Sequence, residues 1–185
     1  PYTTLFRSGA GKSFSAGADM NWMKAAAAYS EEENFQDAHA LAQMLKSLYE
    51  LPQLTIAAVH GAAMGGGMGL VSCCDLVVAA EDTKFALSEV KLGLIPATIA
   101  PYVMRAIGKR HARRYFQTAE FIPAAQALNI GLVHEVVEDA EAVKSSVEDK
   151  VELALKNGPQ AMRAAKELVD DIRDRKSTRR TPVTS

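Results

Sequence analysis

Hydrophobic and polar positions along the chain follow the helical period in some segments and form short apolar runs in others. Over residues 30–51 apolar residues recur every three or four positions, which predicts an amphipathic helix. Ser30 and Glu33 form a capping-box pattern at its start. Residues 54–59 form an apolar run typical of a buried strand, and this run leads into Gly61.

The remaining segments predict strands and helices in alternation. Residues 68–74 predict a helix and residues 75–80 the strand that follows it, with a short strand over residues 83–87. Further helices are predicted over residues 99–107, 109–118, 123–130, 140–156 and 159–173, and a strand or extended linker over residues 132–137. Strands that cross over through helices predict a layered α/β fold with a largely parallel sheet.

Both ends of the chain depart from these patterns. Residues 1–8 (PYTTLFRS) and residues 174–185 (DRKSTRRTPVTS) are polar and basic, and they lack an apolar period. We therefore interpret both segments as non-native tails and leave them out of the predicted fold.

Composition and charge argue against several classes of protein, among them proteins that bind nucleic acid and proteins that span a membrane. Hydrophobic residues make up 48% of the chain and charged residues 23%, as in an ordinary globular domain, and the net charge of -1 offers no basic field for nucleic acid. No apolar run reaches the roughly 20 residues that span a bilayer. The two cysteines, Cys73 and Cys74, are adjacent, which favours reduced thiols in a cytoplasmic protein. The histidines lack metal-ligand spacing, so no metal site is predicted.

Two loops contain most of the candidate chemistry. The first covers residues 12–20 (KSFSAGADM), where small residues would let a ligand approach the backbone and leave the amide of Ala18 free to donate. Taken alone, this segment is more typical of an ordinary tight turn than of a binding loop. The second covers residues 61–69 (GAAMGGGMG) and leads from a strand into a helix, so its amides would face a negative charge. Its glycine spacing differs from both nucleotide-binding patterns.

These two loops, together with residues 85–96 (FALSEVKLGLIP), resemble the crotonase (enoyl-CoA hydratase/isomerase) superfamily in order and spacing. The resemblance covers about residues 11–173. It implies a ClpP/crotonase-like α/β fold of repeated β-β-α units, with an acyl-CoA site in a core over residues 9–137 and C-terminal helices over residues 138–173. The N-terminal strands and the closing helix of the family are missing from this pattern, so the chain on its own is expected to be poorly soluble or inactive.

The resemblance also implies a mechanism. The family holds the thioester carbonyl and its enolate with two backbone amides, which fall here on Ala18 and Gly66. The substrate is an acyl-CoA, so coenzyme A is part of the substrate and no separate cofactor is expected. Contacts with the CoA or acyl group are implied for the following residues: Lys12, Ser15, Ala16, Asp19, Met20, Met64, Gly65 and Ser88.

Hydratases of this family generally use two glutamates. Glu89 falls on the second position, whereas the first is occupied by Gly69, which has no titratable group. Without its flanking motif, Glu89 would be interpreted as a solvent-exposed carboxylate in a loop. Three stretches look most like the bacterial methylglutaconyl-CoA and isohexenylglutaconyl-CoA hydratases: residues 65–70 (GGGMGL), 73–75 (CCD) and 88–102 (SEVKLGLIPATIAPY). Those relatives also tend to lack the first glutamate. Lys91 and Arg105 are candidate cations for a substrate with a second carboxylate.

The expected function is therefore hydration of an α,β-unsaturated acyl-CoA, with methylglutaconyl-CoA as one candidate substrate. The first alternative is an enoyl-CoA isomerase that uses one glutamate, and the second is a non-catalytic CoA-binding or assembly subunit. The resemblance further implies a homotrimer or hexamer, with no nucleic-acid or membrane partner.

Overall fold

The computed structural model describes residues 4–26 and 28–178, and it shows an α/β fold with two small sheets. The strands are, in chain order, β1 (Thr4–Ser8), β2 (Leu54–Val59), β3 (Ala62–Met64), β4 (Leu76–Ala80), β5 (Lys84–Ala86), β6 (Ile122–Pro123) and β7 (Glu135–Val137). The first sheet has the order β1-β2-β4-β7 and is parallel throughout. In the second sheet β5 pairs in parallel with β3 and antiparallel with β6. The predicted largely parallel α/β fold is confirmed.

Helices connect these strands and cover the sheets. They are α1 (Met20–Ala26), α2 (Glu31–Tyr49), α3 (Gly66–Ser72), α4 (Ala100–Thr118), α5 (Ala124–Asn129), α6 (Ala140–Leu155) and α7 (Pro159–Thr178). The capping box predicted for α2 is present: the side chain of Ser30 accepts a hydrogen bond from the amide of Glu33, and the Glu33 carboxylate accepts one from the amide of Ser30. This exchange satisfies two amides that have no partner inside the helix.

The two helices predicted over residues 99–107 and 109–118 form one element, α4. Gly108 lies within it with φ 75° and ψ 159°, so the chain kinks there instead of ending the helix. Only glycine adopts this backbone conformation readily, and the glycine was therefore a correct sign of an interruption.

The strands at the centre of the first sheet are buried on both faces. Ala57 and Val59 of β2 belong to the larger core cluster, which includes side chains of α2, α3 and α4. Ile56 and Ala58, which alternate with them, pack in a smaller cluster with Val143 of α6. Successive side chains of a strand point to opposite faces, so a continuous apolar run is what such a strand requires.

The exclusion of the terminal segments from the fold was wrong in part. Thr4–Ser8 form β1, which pairs in parallel with β2 from Thr4 opposite Leu54 to Ser8 opposite Ala58. At the other end α7 continues to Thr178, beyond the predicted limit at residue 173. A strand at a sheet edge is held by backbone hydrogen bonds, which a polar sequence also forms. Residues 1–3 and 179–185 lie outside the described residues, and the non-native origin of the tails stays a prediction.

The turn after β2 depends on Gly61, whose φ is +66°. A Cβ atom at this position would overlap the carbonyl oxygen of Lys12 and lie 3.2 Å from the Cα of Ser13. The first loop therefore passes directly over this turn, and its approach requires a residue without a side chain.

We expect Gly61→Ala to lower the free energy of unfolding by at least about 3 kcal/mol, because backbone strain at positive φ adds to a steric overlap. Gly11→Ala is the matched control, since Gly11 has φ +82° and a Cβ atom added there would meet nothing within 4 Å. Strain alone should lower its stability by about 1 kcal/mol. Urea unfolding of both variants measures the difference, and equal losses would show that the loop does not press on Gly61.

Candidate active site

Backbone hydrogen bonds attach the first loop to β3. The amide of Phe14 donates to the carbonyl of His60 at 3.0 Å, and the amide of Ser15 donates to the carbonyl of Ala62 at 2.9 Å. The amide of Met64 in turn donates to the carbonyl of Ser15 at 3.0 Å. Ser15 thus forms a parallel bridge opposite Ala63. The loop that continues to Ala18 is consequently fixed by main-chain contacts.

The same strand positions the second loop. After β3, the amide of Gly65 donates to the carbonyl of Ala86 at the end of β5, at 2.9 Å. Gly65 has φ +50° and ψ -117°, a conformation that favours glycine. A Cβ atom on it would lie 3.1 Å from Oε1 of Glu89. Gly65 therefore turns the chain into α3 directly beside the carboxylate of Glu89.

Two backbone amides are free at this point. Gly66 is the first residue of α3, so its amide has no acceptor within the helix. Within residues 4–26 and 28–178, neither the amide of Gly66 nor that of Ala18 donates a hydrogen bond to a protein acceptor. Both residues line the same cavity. The arrangement can offer two donors to an oxygen atom that carries a developing negative charge.

The cavity has a volume of about 510 Å³ and lies between the two loops, α1, α2 and the segment after Glu89. Seven of the predicted site residues line it: Ser15, Ala18, Asp19, Gly65, Gly66, Ser88 and Glu89. Four do not: Lys12, Ala16, Met64 and Gly69. Met20 is the first residue of α1. Its side chain is not among the described parts of the structure, so its predicted contact with the substrate stays a prediction.

Other lining residues were not predicted. They include Trp22 and Met23 of α1, together with Asp37, Leu41 and Met44 of α2. The last three are spaced by four and three positions, which places them on one face of the helix. This spacing was visible in the sequence, but nothing in it indicated that the face turns toward the loops.

Glu89 opens a 3₁₀ turn (Glu89–Leu92) and is half-buried at the cavity. Its Oε2 atom is buried and has no hydrogen-bond partner among the described residues. Burial raises the pKa of this carboxyl group above its ordinary value of 4.5, and a hydrogen bond with its own backbone partly offsets the rise. Such a group holds a proton more readily than an exposed glutamate, which suits acid–base chemistry.

Comparison with known proteins decides the family. A family model described as enoyl-CoA hydratase/isomerase matches residues 5–182. The chain belongs to the enoyl-CoA hydratase/isomerase family. The predicted crotonase superfamily and its fold are thereby confirmed, and the match also includes most of β1 and all of α7.

Individual members of the family are clearly similar. Enoyl-CoA hydratase AKT6-1 from Alternaria alternata is 35% identical over 170 residues, which are 90% of this chain and 54% of that protein. Human mitochondrial methylglutaconyl-CoA hydratase is 34% identical over 168 residues, 89% of this chain and 49% of that protein. The crystal structure of an enoyl-CoA hydratase from Shewanella pealeana superposes with a TM-score of 0.89 at 43% identity, covering 93% of this chain and 64% of that one. The chain therefore spans about half to two thirds of these relatives.

The position where the family resemblance expects a first glutamate is closed. A Cβ atom on Gly69 would overlap the Cγ2 atom of Ile99 and lie 2.8 Å from its Cβ. Ile99 precedes α4 and is only 2% exposed, so it has little room to move. No side chain fits at residue 69 unless Ile99 shifts, and Glu89 has no carboxylate partner there.

The two candidate cations lie elsewhere. Nζ of Lys91 sits 5.8 Å from the ring centre of Phe121. The guanidinium of Arg105 lies 4.7 Å from the ring centre of Tyr49 and 6.0 Å from that of Tyr102. Neither residue lines the cavity. These positions do not support Lys91 or Arg105 as the cation that binds a second carboxylate of the substrate.

The described residues also lack two features that would suggest other kinds of site. Among them, no group of three or more His, Cys, Asp and Glu side chains is arranged to hold a metal ion. In the same part of the chain, no helix combines the length and the apolar composition that crossing a bilayer requires.

We expect Glu89→Gln to stabilise the protein at neutral pH but not at acidic pH. Because burial raises the pKa of Glu89, the folded state holds the proton more tightly than the unfolded chain. Stability is therefore lost as the pH rises from the ordinary carboxyl value of 4.5 through the raised folded value, and glutamine removes that loss. Urea midpoints at several pH values test this, with exposed Glu81→Gln as control. A variant that is less stable at neutral pH would contradict the burial effect.

Proposed function

We propose that the protein adds water across the double bond of an α,β-unsaturated acyl-CoA thioester. The observation that carries this proposal is that two free amides, those of Ala18 and Gly66, line the same cavity as the half-buried carboxyl group of Glu89. A thioester carbonyl placed between the amides would become an enolate as the β-carbon is attacked. Membership of the family supports an acyl-CoA as the substrate.

The amides would supply the electrostatic part of catalysis. They are neutral donors at every pH, and the pairing of Ser15 with β3 fixes the loop that carries one of them before substrate arrives. Donors that are already oriented need no reorganisation when charge develops on the oxygen. Each donor of this kind contributes on the order of 3 kcal/mol to lowering the barrier.

Glu89 would carry the proton. As a carboxylate it takes a proton from water while the water oxygen bonds to the β-carbon and the electron pair of the double bond moves toward the thioester oxygen. As a carboxylic acid it then returns the proton to the α-carbon as the enolate collapses. The side chain of Glu89 lines the cavity, and because Ile99 leaves no room for a side chain at residue 69, this work falls to Glu89.

The lack of room for a carboxylate side chain at residue 69 also favours a second candidate function, that of an enoyl-CoA isomerase. Moving a double bond from the 3-position to the 2-position requires removal of a proton from the α-carbon and delivery of a proton to the γ-carbon. One carboxyl group can do both, and the same two amides would hold the dienolate. Water does not need to be activated in this reaction, so the missing first glutamate is no obstacle.

Replacing one amide tests the oxyanion role without changing a charge. Gly66→Pro removes the amide hydrogen at the first position of α3, where proline fits a helix well. We expect kcat for hydration of crotonyl-CoA to fall by about 100- to 1000-fold in the complete gene product. Gly66→Ala is the matched control, since it keeps the amide and a Cβ atom there meets nothing within 4 Å. Equal losses in both variants would indicate a steric effect and argue against the role.

Glu89→Gln tests the proton carrier and separates the two reactions. We expect it to lower turnover by about 100- to 10,000-fold while acyl-CoA binding is retained, because only proton transfer is removed.

Product analysis of the unsubstituted protein distinguishes the hydratase from the isomerase. The products formed from 2-hexenoyl-CoA and from 3-hexenoyl-CoA are separated by chromatography. A 3-hydroxyacyl-CoA product supports the hydratase, and double-bond migration without hydration supports the isomerase. Turnover unchanged by Glu89→Gln would contradict the role of Glu89 in both reactions, and acyl-CoA binding without any turnover in the unsubstituted protein would favour a binding subunit.

A further inference from the structure

We propose that the cavity selects an uncharged, apolar acyl group and discriminates against one that ends in a carboxylate, with Asp37 as the specificity-determining residue. The proposal rests on the proposed function, since it concerns the acyl part of the same substrate. It departs from the dicarboxylate that the sequence pattern suggests as a candidate.

Apolar side chains form most of the surface around the space behind the two amides. They come from three separate elements: Trp22 and Met23 from α1, Leu41 and Met44 from α2, and Leu94 and Ile95 from the segment after Glu89. Several of these large side chains are substantially exposed in the structure, Ile95 at 76% and Trp22 at 43%. An apolar acyl chain that covers them would be removed from water together with them, which stabilises the complex.

The charged residues that line the cavity are all acidic. Among the described residues they are Asp19, Asp37 and Glu89, with no lysine, arginine or histidine. Asp19 is engaged, because its Oδ1 atom accepts hydrogen bonds from the amide of Asn21 at 2.7 Å and from that of Trp22 at 3.4 Å. Glu89 belongs to the catalytic machinery proposed above.

The side chain of Asp37, unlike that of Asp19, accepts no hydrogen bond from a neighbouring residue in the described part of the chain. Within the described part of the chain it forms no hydrogen bond and no ion pair. It is partly buried, whereas Gln36 and Ala38 on either side of it are exposed, so its position on α2 faces inward. Leu41 lies one turn further along the same face and also lines the cavity. Asp37 therefore adds a negative charge at the wall formed by α2.

A second carboxylate on the substrate would meet unfavourable surroundings here. It would lose water on entering an apolar cavity, and a buried charge without a partner is strongly disfavoured. It would also face like charges, which suppress binding of the wrong partner. The cations that could have compensated it, Lys91 and Arg105, lie over aromatic rings away from the cavity lining.

Binding of saturated thioesters tests this preference without any reaction. Hexanoyl-CoA and glutaryl-CoA share the CoA part and differ mainly in the terminal carboxylate. Isothermal titration calorimetry measures the dissociation constant of each thioester. We expect glutaryl-CoA to bind at least about tenfold more weakly to the complete gene product. Equal or tighter binding of glutaryl-CoA would overturn the proposal.

Substitution of Asp37 tests its assigned role. In Asp37→Lys we expect the affinity for glutaryl-CoA to rise by about tenfold or more, with hexanoyl-CoA changed by less than about threefold. Asp37→Asn should shift the ratio in the same direction by a smaller factor. Glu31→Lys is the matched control, because it makes the same charge change on an exposed residue of α2 outside the cavity lining.

The outcomes distinguish the two proposals. If Glu31→Lys shifts the ratio as much as Asp37→Lys, or if neither substitution of Asp37 shifts it, the role of Asp37 is refuted. If the preference for hexanoyl-CoA holds while no hydration or isomerisation is detected, the proposed function fails and the acyl preference stands. If hydration is found and is faster on 3-methylglutaconyl-CoA than on 2-hexenoyl-CoA, the proposed function stands and the acyl preference is overturned.

Discussion

The pairing of Ser15 with β3 is the contact on which the candidate site depends. Through it, the loop that ends at Ala18 is attached to the strand that leads to Gly66, and the next pairing, between β3 and β5, brings Glu89 to the same place. The approach is close: a Cβ atom on Gly67 would lie 2.5 Å from that of Ser15. Main-chain geometry, rather than a set of side chains, therefore determines where the donors are.

This construction divides the chemistry between two kinds of group. The amides stabilise charge at any pH and cannot rotate away, whereas the carboxyl group must change its protonation state during turnover. Partial burial prepares Glu89 for that change by disfavouring its charged form. The same burial opposes folding at neutral pH, which is the usual compromise between stability and activity at a catalytic group.

The sequence predicted the parts of the structure that leave a local pattern. The helix from residue 30 and the buried strand β2 follow from apolar period, and the glycines mark where loops approach closely. It did not predict β1, because an edge strand is held by backbone hydrogen bonds that polar residues form as well. Nor did it predict that Asp37 and Ile99 reach the site, since they arrive from α2 and the start of α4 through tertiary packing. Contacts between distant segments leave no period in the chain.

The contact between Gly69 and Ile99 constrains how this site can change over time. A variant that gains an acidic side chain at residue 69 while Ile99 is unchanged would be overpacked, and a variant that shortens Ile99 first would carry a cavity next to α3. Each single step is thus a loss, and only the pair together yields a second carboxylate. Lineages with glycine and isoleucine at these positions are expected to stay with one acidic group and to diversify instead through the side chains of α1 and α2.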